Sequence, residues 1–484
     1  MSNQGKKTKT KVRPRVAMSL LDPGYRAGIF SEVGQGYSLE EAVSEAQRCL
    51  QCKKPTCIKG CPVDVDCKSF IRMVAEQDLR GAFAKIKETN SLPAICGRVC
   101  PQENQCEKTC KLRPTGHPVA IGRLERFVAD NFYAQTSCED ETGATECLPV
   151  DENLKVAAIG SGPSSLTLAG CLAAQGVKVT IYEALHSPGG VLVYGIPEFR
   201  LPKSVVQREI DSLKNLQVDF ECNYVGGMSL GLSELFHQGY QAVFLGVGAG
   251  LPNFMNLPGE NLVGVYSANE YLTRVNLMHG YKFPEYDTPV PPGKKVVVIG
   301  GGNVAMDAAR TALRLGAEQV RVVYRRTEGE MPARREELEH ALDEGVELEV
   351  LSSPVSFHGN EHGVLEKAVL QRMELLDADE SGRKKPVPVE GSFFEIETDL
   401  VIMAVGTGAN MVLTQTTPEL ALTDKGYIQA DPITGETSMN MVFAGGDIVT
   451  GAATVVEAMG AGRRSAQEIL RRLKGESQAY KGNY

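Results

Sequence analysis

Short apolar runs, glycine turns and amphipathic stretches alternate along this chain. The clearest instance is KVAAIGSGPSSLTLAGCLAAQGVKVTIYE, residues 155–183. An apolar run at 156–159 meets Gly160-Ser161-Gly162-Pro163-Ser164-Ser165; a helical stretch follows, then a second apolar run at 177–181 ending at Glu183. Short apolar runs bounded by turn residues read as buried strands, so the unit reads as strand, glycine turn, helix, strand. The order recurs with strand 296–299, the turn Gly300-Gly301-Gly302-Asn303-Val304-Ala305, helix 304–315 and strand 320–323. Two further runs, 242–250 and 399–405, have matching patterns that end in glycines and read as the way into and out of an inserted domain. Helix 332–344 and strands 347–351 and 368–374 extend the second unit, and strand 442–447 precedes a long helix at 455–473. Earlier, SLEEAVSEAQRCL predicts a helix with Ser38 as N-cap and Glu41 closing a capping box. Helices are also predicted at 67–75, 79–88 and 121–132, with linkers at 138–152 and 289–293.

The glycines carry chemistry. Gly160 permits a tight turn, Gly162 lets backbone N–H groups approach a pyrophosphate, and the helix starting near Pro163 and Ser164 adds its positive dipole end. Ser165 replaces the third glycine of the fingerprint with a small residue, and Glu183, 23 positions after Gly160, stands where a carboxylate holds a ribose 2′-hydroxyl. A lone glycine motif is weak; flanking strand, helix and acid make dinucleotide binding the stronger reading. In the second unit the position matching Glu183 is Val323, followed by Tyr324, Arg325 and Arg326. Without an acid to repel it, a 2′-phosphate can be held by guanidinium groups, so this turn favours NADP(H) over NAD(H). The plainer reading is a solvated basic strand end. Gly189 and Gly190 leave backbone able to lie against a ring or diphosphate. Gly446-Asp447 precedes Ala453-Thr454 at a helix start, where a carboxylate can bind a ribityl chain and a helix dipole can stabilise a reduced flavin.

Composition adds bounds. A chain of 484 residues suits about three domains. A net charge of −9 argues against broad nucleic-acid binding. No apolar run has membrane-spanning length, and the basic start, Lys6 to Arg15, meets no apolar signal region; the expectation is a cytoplasmic protein. Of 13 cysteines, nine fall between Cys49 and Cys110, which points to a metal rather than a disulfide framework. They form Cys49-x2-Cys52-x4-Cys57-x3-Cys61-Pro62 and Cys96-x3-Cys100-Pro101-x4-Cys106-x3-Cys110. Thiolates at such spacings can wrap iron–sulfur clusters, although bacterial ferredoxins have two residues where the first run has four. Zinc is the alternative, but its sites more often pair separated Cys-x2-Cys units or include His, and only His117 is near. Cys67, Cys138, Cys147, Cys171 and Cys222 read as structural thiols.

RCLQC at 48–52, GRVCP at 97–101, GIPEFRLPK at 195–203, VIGGGNVAMD at 298–307, YRR at 324–326 and AGGD at 444–447 together resemble the glutamate synthase small-subunit family. Its members include the NADPH-binding large subunit of NADH-dependent ferredoxin:NADP oxidoreductase and the amino-terminal half of dihydropyrimidine dehydrogenase. The resemblance implies an α/β chain: a helical N-terminal double [4Fe–4S] domain (1–150), then an FAD domain (151–290 and 405–484) with an inserted NADPH domain (291–404), both Rossmann-like. It implies electron passage between NADPH, FAD and two clusters to or from a second redox subunit, of FMN/glutaminase or flavin–ferredoxin type. No protein acid or base is required, and the redox Cys pair of disulfide reductases is absent from 189–203. FAD falls to Gly160, Gly162, Pro163, Ser164, Glu183, Gly190, Gly446, Asp447, Ala453 and Thr454, and NADPH to Gly300, Gly302, Asn303, Val304, Arg325 and Arg326. In two-cluster ferredoxins the Cys before Pro ligates the other cluster. Applied here, Cys110 joins Cys49, Cys52 and Cys57, while Cys61 joins Cys100 and Cys106. Spacing alone makes Cys96 the fourth ligand of the second cluster; the resemblance implies Glu125, in IGRLERF at 121–127. The interval between Cys100 and Cys106 is nearer that of the transhydrogenase and pyrimidine dehydrogenase members.

Overall fold

The computed structural model describes residues 13–135, 148–378 and 384–475. Lys6, Lys7, Lys9, Lys11, Cys138, Cys147 and residues 138–147 of the expected linker lie outside them. The chain divides into two units: Met1–Ser19 with Gln35–Thr145, and Leu20–Gly34 with Glu146–Tyr484.

The first unit is helical. Its longer helices are Leu39–Ala46, Cys67–Ala75, Leu79–Lys87, Pro93–Val99 and Ile121–Gln135. Ser38 and Glu41 close the capping box: Glu41 N donates to Ser38 Oγ at 3.2 Å and Ser38 N to Glu41 Oε2 at 2.8 Å. That helix stops at Ala46, so Cys49 and Cys52 sit on the loop beyond it. Asp66 and Asp78 cap the next two helices. Cys67, Phe70, Ile71 and Val74 recur at helical spacing and form one buried face. Phe83 stacks on Phe132 with ring centroids 3.8 Å apart. A Cβ on Gly97 would lie 2.6 Å from Arg126 N, so only glycine lets helix Pro93–Val99 meet Ile121–Gln135 this closely.

The second unit holds two parallel five-stranded sheets. The first runs in the order Val442–Ala444, Ala242–Leu245, Asp151–Ile159, Val177–Glu183, Asp219–Cys222. The second runs Val265–Ser267, Leu400–Met403, Lys295–Ile299, Gln319–Tyr324, Glu347–Val350. In each, the strand before the glycine turn has later strands on both sides, so the turn opens at a switch point where α/β sheets bind ligands. The helices after the turns are Pro163–Ala173 and Asn303–Arg314. The chain crosses between the sheets where Leu251–Pro252 pairs antiparallel with Thr407–Gly408. The second sheet therefore begins at Val265, earlier than the expected boundary at 291. Residues 20–34, expected with the N-terminal helices, belong to this second unit. Strands Ser352–Gly359, Leu365–Ala378 and Lys384–Glu397 form a separate antiparallel sheet and do not extend the parallel one. Helix Arg335–Asp343 starts three residues later than expected. Among the described residues no helix is long and apolar enough to cross a membrane.

Candidate functional site

Loops from three parts of the chain converge on the first glycine turn. Gly160 has φ 91°, and a Cβ there would lie 2.4 Å from Gly246 O. Gly190, φ 56°, lies beside Gly162, and Gly446, φ 79°, beside Ser164. Ser165 is fully buried, and a Cβ on Gly246 would stand 2.2 Å from its Oγ, so the third fingerprint position tolerates only a small side chain. Gly162 is different: its φ is −67°, and the nearest atom to an added Cβ is 4.0 Å away. Neither backbone strain nor protein packing demands glycine there, and the open space matches a pyrophosphate cradle.

Glu183 does more than the sequence indicates. Its Oε2 accepts from Ser161 N at 2.9 Å and from Ser161 Oγ, and its Oε1 accepts from Leu185 N at 2.9 Å. Ser161 Oγ in turn accepts from Gly189 N at 2.8 Å. The carboxylate thus ties both glycine loops together. Asp447 Oδ1 accepts from Ala453 N at 3.3 Å, and burial raises its pKa. Thr454 caps helix Val455–Leu473 in a capping box with Glu457. Burial, with Asp447 and Glu183 nearby, lifts the Tyr194 phenol to about 12 and keeps it a neutral hydrogen-bonding group.

The second turn repeats the scheme. Gly300 has φ 145°, with Ala404 O 2.4 Å from an added Cβ, and Gly301 faces the Tyr324 ring at 2.6 Å. At Gly302 an added Cβ would meet nothing within 4 Å. Asn303 Oδ1 accepts from Arg334 N at 2.8 Å, and Val304 is 44% exposed at the helix start. Val323 is buried and brings no charge. Arg325 is exposed and makes no hydrogen bond or ion pair among the described residues. Arg326 Nε donates to Lys384 O at 2.9 Å.

In the first unit Cys49, Cys52, Cys57 and Cys110 line one pocket with Leu50, Lys68 and Lys111. Thr56 Oγ1 donates to Thr109 O at 2.6 Å and ties the two cysteine runs together. A hydrogen bond from the Cys67 thiol lowers Cys57 to about 7 against the opposing effect of burial. Cys61, Cys96, Cys100, Cys106 and Glu125 form a deeper group within mutual electrostatic reach, and burial pushes Cys61 up to about 12. Burial also lifts Glu125 to about 7, opposed by Asn90, whose Nδ2 donates to Glu125 Oε1 at 2.8 Å. Cys96 Sγ donates to Asn90 Oδ1 at 3.7 Å, so both candidates for the last ligand share this residue. Among the described residues no three His, Cys, Asp or Glu side chains converge to hold one metal ion. A cube offers separate irons to its four ligands, so donors set apart around a pocket suit a cluster.

Residues 26–137 match the family described as dihydropyrimidine dehydrogenase domain II, 4Fe–4S cluster, and residues 154–462 match pyridine nucleotide-disulphide oxidoreductase. The glutamate synthase [NADPH] small chain of Azospirillum brasilense is 37% identical over 455 residues, 93% of each chain. The chain belongs to the glutamate synthase small-chain family. It is an oxidoreductase of the FAD, NADPH and 4Fe–4S type. Another relative, the NAD-dependent dihydropyrimidine dehydrogenase subunit PreT of Escherichia coli, is 35% identical over 439 residues, covering 90% of this chain and 95% of PreT. FprA from Mycobacterium tuberculosis in complex with NADPH shares the fold, with TM-score 0.55 and 22% identity over 69% of this chain and 87% of FprA.

Within this family frame, three residues carry geometry that sequence reasoning missed. Asn90 lies outside both cysteine motifs. Tyr194 ends helix Val191–Tyr194, just before the loop GIPEFRLPK, without a charge or spacing to mark it. Arg200, in the same loop, binds Asp307 at 2.6 Å and Glu337 at 3.0 Å, joining that loop to helices Asn303–Arg314 and Arg335–Asp343.

Proposed function

We propose that this chain is the NADPH-dependent subunit of a larger cytoplasmic redox enzyme, exchanging electrons with a second redox protein. The observation that carries the reading is a pocket lined by four thiols in a chain that also has two open glycine cradles. Bound NADPH, FAD and [4Fe–4S] clusters supply the hydride and electron chemistry. The chain's own residues bind and orient them. Gly160, Gly162, Pro163, Ser164, Gly190, Gly446, Ala453 and Thr454 receive the FAD diphosphate and ring, with Glu183 and Asp447 on its hydroxyl groups. Gly300, Gly302, Asn303 and Val304 receive the NADPH diphosphate, and Arg325 and Arg326 its 2′-phosphate. Cys49, Cys52, Cys57 and Cys110 hold one cluster; Cys61, Cys100, Cys106 and Glu125 hold a second.

The two relatives are named as a small chain and a subunit, which supports a partner. An FMN/glutaminase-type partner makes the complex a glutamate synthase. The six-residue step from Cys100 to Cys106 favours the second reading, a flavin–ferredoxin-type partner with electrons flowing toward NADP+. Anaerobic titration of the purified protein tests the core: NADPH bleaches the flavin and elicits cluster EPR signals, while NADH does so only at far higher concentration. Protein without acid-labile sulfide, or equal response to both nucleotides, refutes it. Affinity isolation with identification of the co-purifying subunit decides between the two partners.

A further inference from the structure

The rim of the four-thiol pocket reverses the sign of the molecule. The chain carries a net charge of −9, yet residues 49–62 and 108–120 contain no Asp or Glu. They contain Lys53, Lys54, Lys59, Lys108, Lys111 and Arg113, all exposed. Lys68 and Lys111 line the pocket itself. The paired hydrogen bonds between Thr56 and Thr109 bring the two basic segments to one place. Glu107, next in sequence to Lys108, is buried and already bound to Arg15 at 2.6 Å. None of the five exposed lysines has an ion-pair partner among the described residues, so this charge is not spent on holding the fold. Leu50, 58% exposed, adds an apolar contact at the pocket mouth. The deeper ligand group offers no such access: Cys100, Cys106 and Glu125 are buried.

We propose that this rim is the docking surface for an acidic electron-carrier protein, a ferredoxin-like partner whose carboxylates face Lys53, Lys54, Lys59, Lys108, Lys111 and Arg113. The inference rests on the electron-transfer reading above and specifies the chemistry of its partner. Exposed, unpaired lysines around a small apolar contact give a transient complex. Steering charges set its encounter rate, and salt weakens it. At about 0.1 M salt the Debye length is about 10 Å, so charges in the docked complex still interact while approach from further away is screened.

The test uses the holoprotein and, as probe, a purified acidic bacterial ferredoxin carrying two 4Fe–4S clusters. Binding is followed by fluorescence anisotropy at about 20 and about 300 mM salt, a range across which screening changes severalfold. The combined variant Lys54→Glu, Lys59→Glu, Lys108→Glu is expected to weaken ferredoxin binding at least tenfold at low salt and to abolish the salt dependence. Lys214→Glu, Lys294→Glu, Lys425→Glu, the same charge change on the dinucleotide-binding unit, is expected to leave it within twofold. Iron, sulfide, flavin content and ferricyanide reduction by NADPH are measured on every variant and are expected to match wild type. Absent ferredoxin binding, equal weakening by both triple variants, or tighter binding of a single-stranded oligonucleotide than of ferredoxin overturns the docking surface. Absence of iron and sulfide from the wild-type protein instead overturns the electron-transfer reading, whatever binds to the lysines.

Discussion

At the residue scale, Arg325 and Arg326 are not equivalent. Arg326 already gives its Nε to Lys384 O, whereas Arg325 is exposed and unengaged among the described residues. Losing one charge-assisted hydrogen bond costs about 1.5–3 kcal/mol, or roughly tenfold or more in affinity. Arg325→Ala should therefore raise KM for NADPH about tenfold, and the double Arg325→Ala, Arg326→Ala variant further, with KM for NADH nearly unchanged. Steady-state ferricyanide assays with both nucleotides check this; equal changes would count against a 2′-phosphate site. The last cluster ligand is a second residue-scale question. Glu125 and Cys96 both hang on Asn90, from opposite ends of its amide. With Glu125 as ligand, Glu125→Ala shifts or removes one cluster's EPR signal and Cys96→Ser leaves both signals in place. An oxygen donor and its hydrogen-bond partner tune potential together, so Asn90→Leu should shift the midpoint of that same signal. Loss of a cluster in Cys96→Ser alone would reassign the ligand.

At the scale of elements, the glycine loops stand or fall with the groups that hold them. Glu183 binds the backbone of Ser161, and Ser161 binds Gly189, so Glu183→Ala should loosen two loops as well as remove a ribose partner. Asp447→Ala removes a carboxylate held only by Ala453 N among its hydrogen bonds in the described residues. Both variants should lose FAD during gel filtration, Glu183→Ala more completely; full flavin absorbance in both would displace these residues from the site. These loops and their strands were legible in the sequence because glycine turns and apolar runs are local signals. Helices Cys67–Ala75 and Val455–Leu473 were legible to the residue, since caps and periodicity agree there. Of the antiparallel sheet only the strand at 368–374, inside Leu365–Ala378, was legible; Lys384–Glu397 is half-buried or exposed throughout, so no buried apolar face marks it. Helix Arg335–Asp343 was misplaced at its start because Pro332 suggests a first-turn position, while Asn303 binds Arg334 N just before the helix. Asn90 and Arg26 were invisible because Glu125 and Glu344, the carboxylates they bind, are distant in sequence. Arg26 and Glu344 lie 318 positions apart.

At the scale of the molecule's second unit, a buried charge network holds residues 20–34 and the 195–203 loop onto the second dinucleotide domain. Arg26, 1% exposed, donates to Glu344 Oε1 at 2.9 Å. Arg310 Nη2 reaches the same oxygen at 2.7 Å, and Arg314 Nη1 reaches Oε2 at 2.7 Å. Arg310 also pairs with Glu337, which Arg200 meets at 3.0 Å. Phe199 lies under both guanidinium groups of Arg310 and Arg314, at 4.7 and 3.8 Å. Burial acts to raise Glu337 and Glu344, but the surrounding arginines outweigh it and hold both at about 2, below the ordinary 4.5. A depressed carboxylate pKa stabilises the fold in full above the unfolded value. The contribution declines as pH falls below about 4.5 and is gone once pH passes about 2. Replacing a complete buried network with apolar groups can be neutral, whereas removing one member strands the others and costs about 3–5 kcal/mol. Glu344 is the member with three arginine partners, so Glu344→Gln is the severe case. It should lower the unfolding temperature by several degrees at pH 7. Across the acid range its unfolding temperature should fall less steeply than that of wild type, because one of the two depressed carboxylates is gone. Calorimetry between about pH 7 and pH 3 checks both. A variant that matches wild type at neutral pH, or one whose deficit does not narrow toward pH 3, would mean that these arginines do not hold the carboxylate in its charged form.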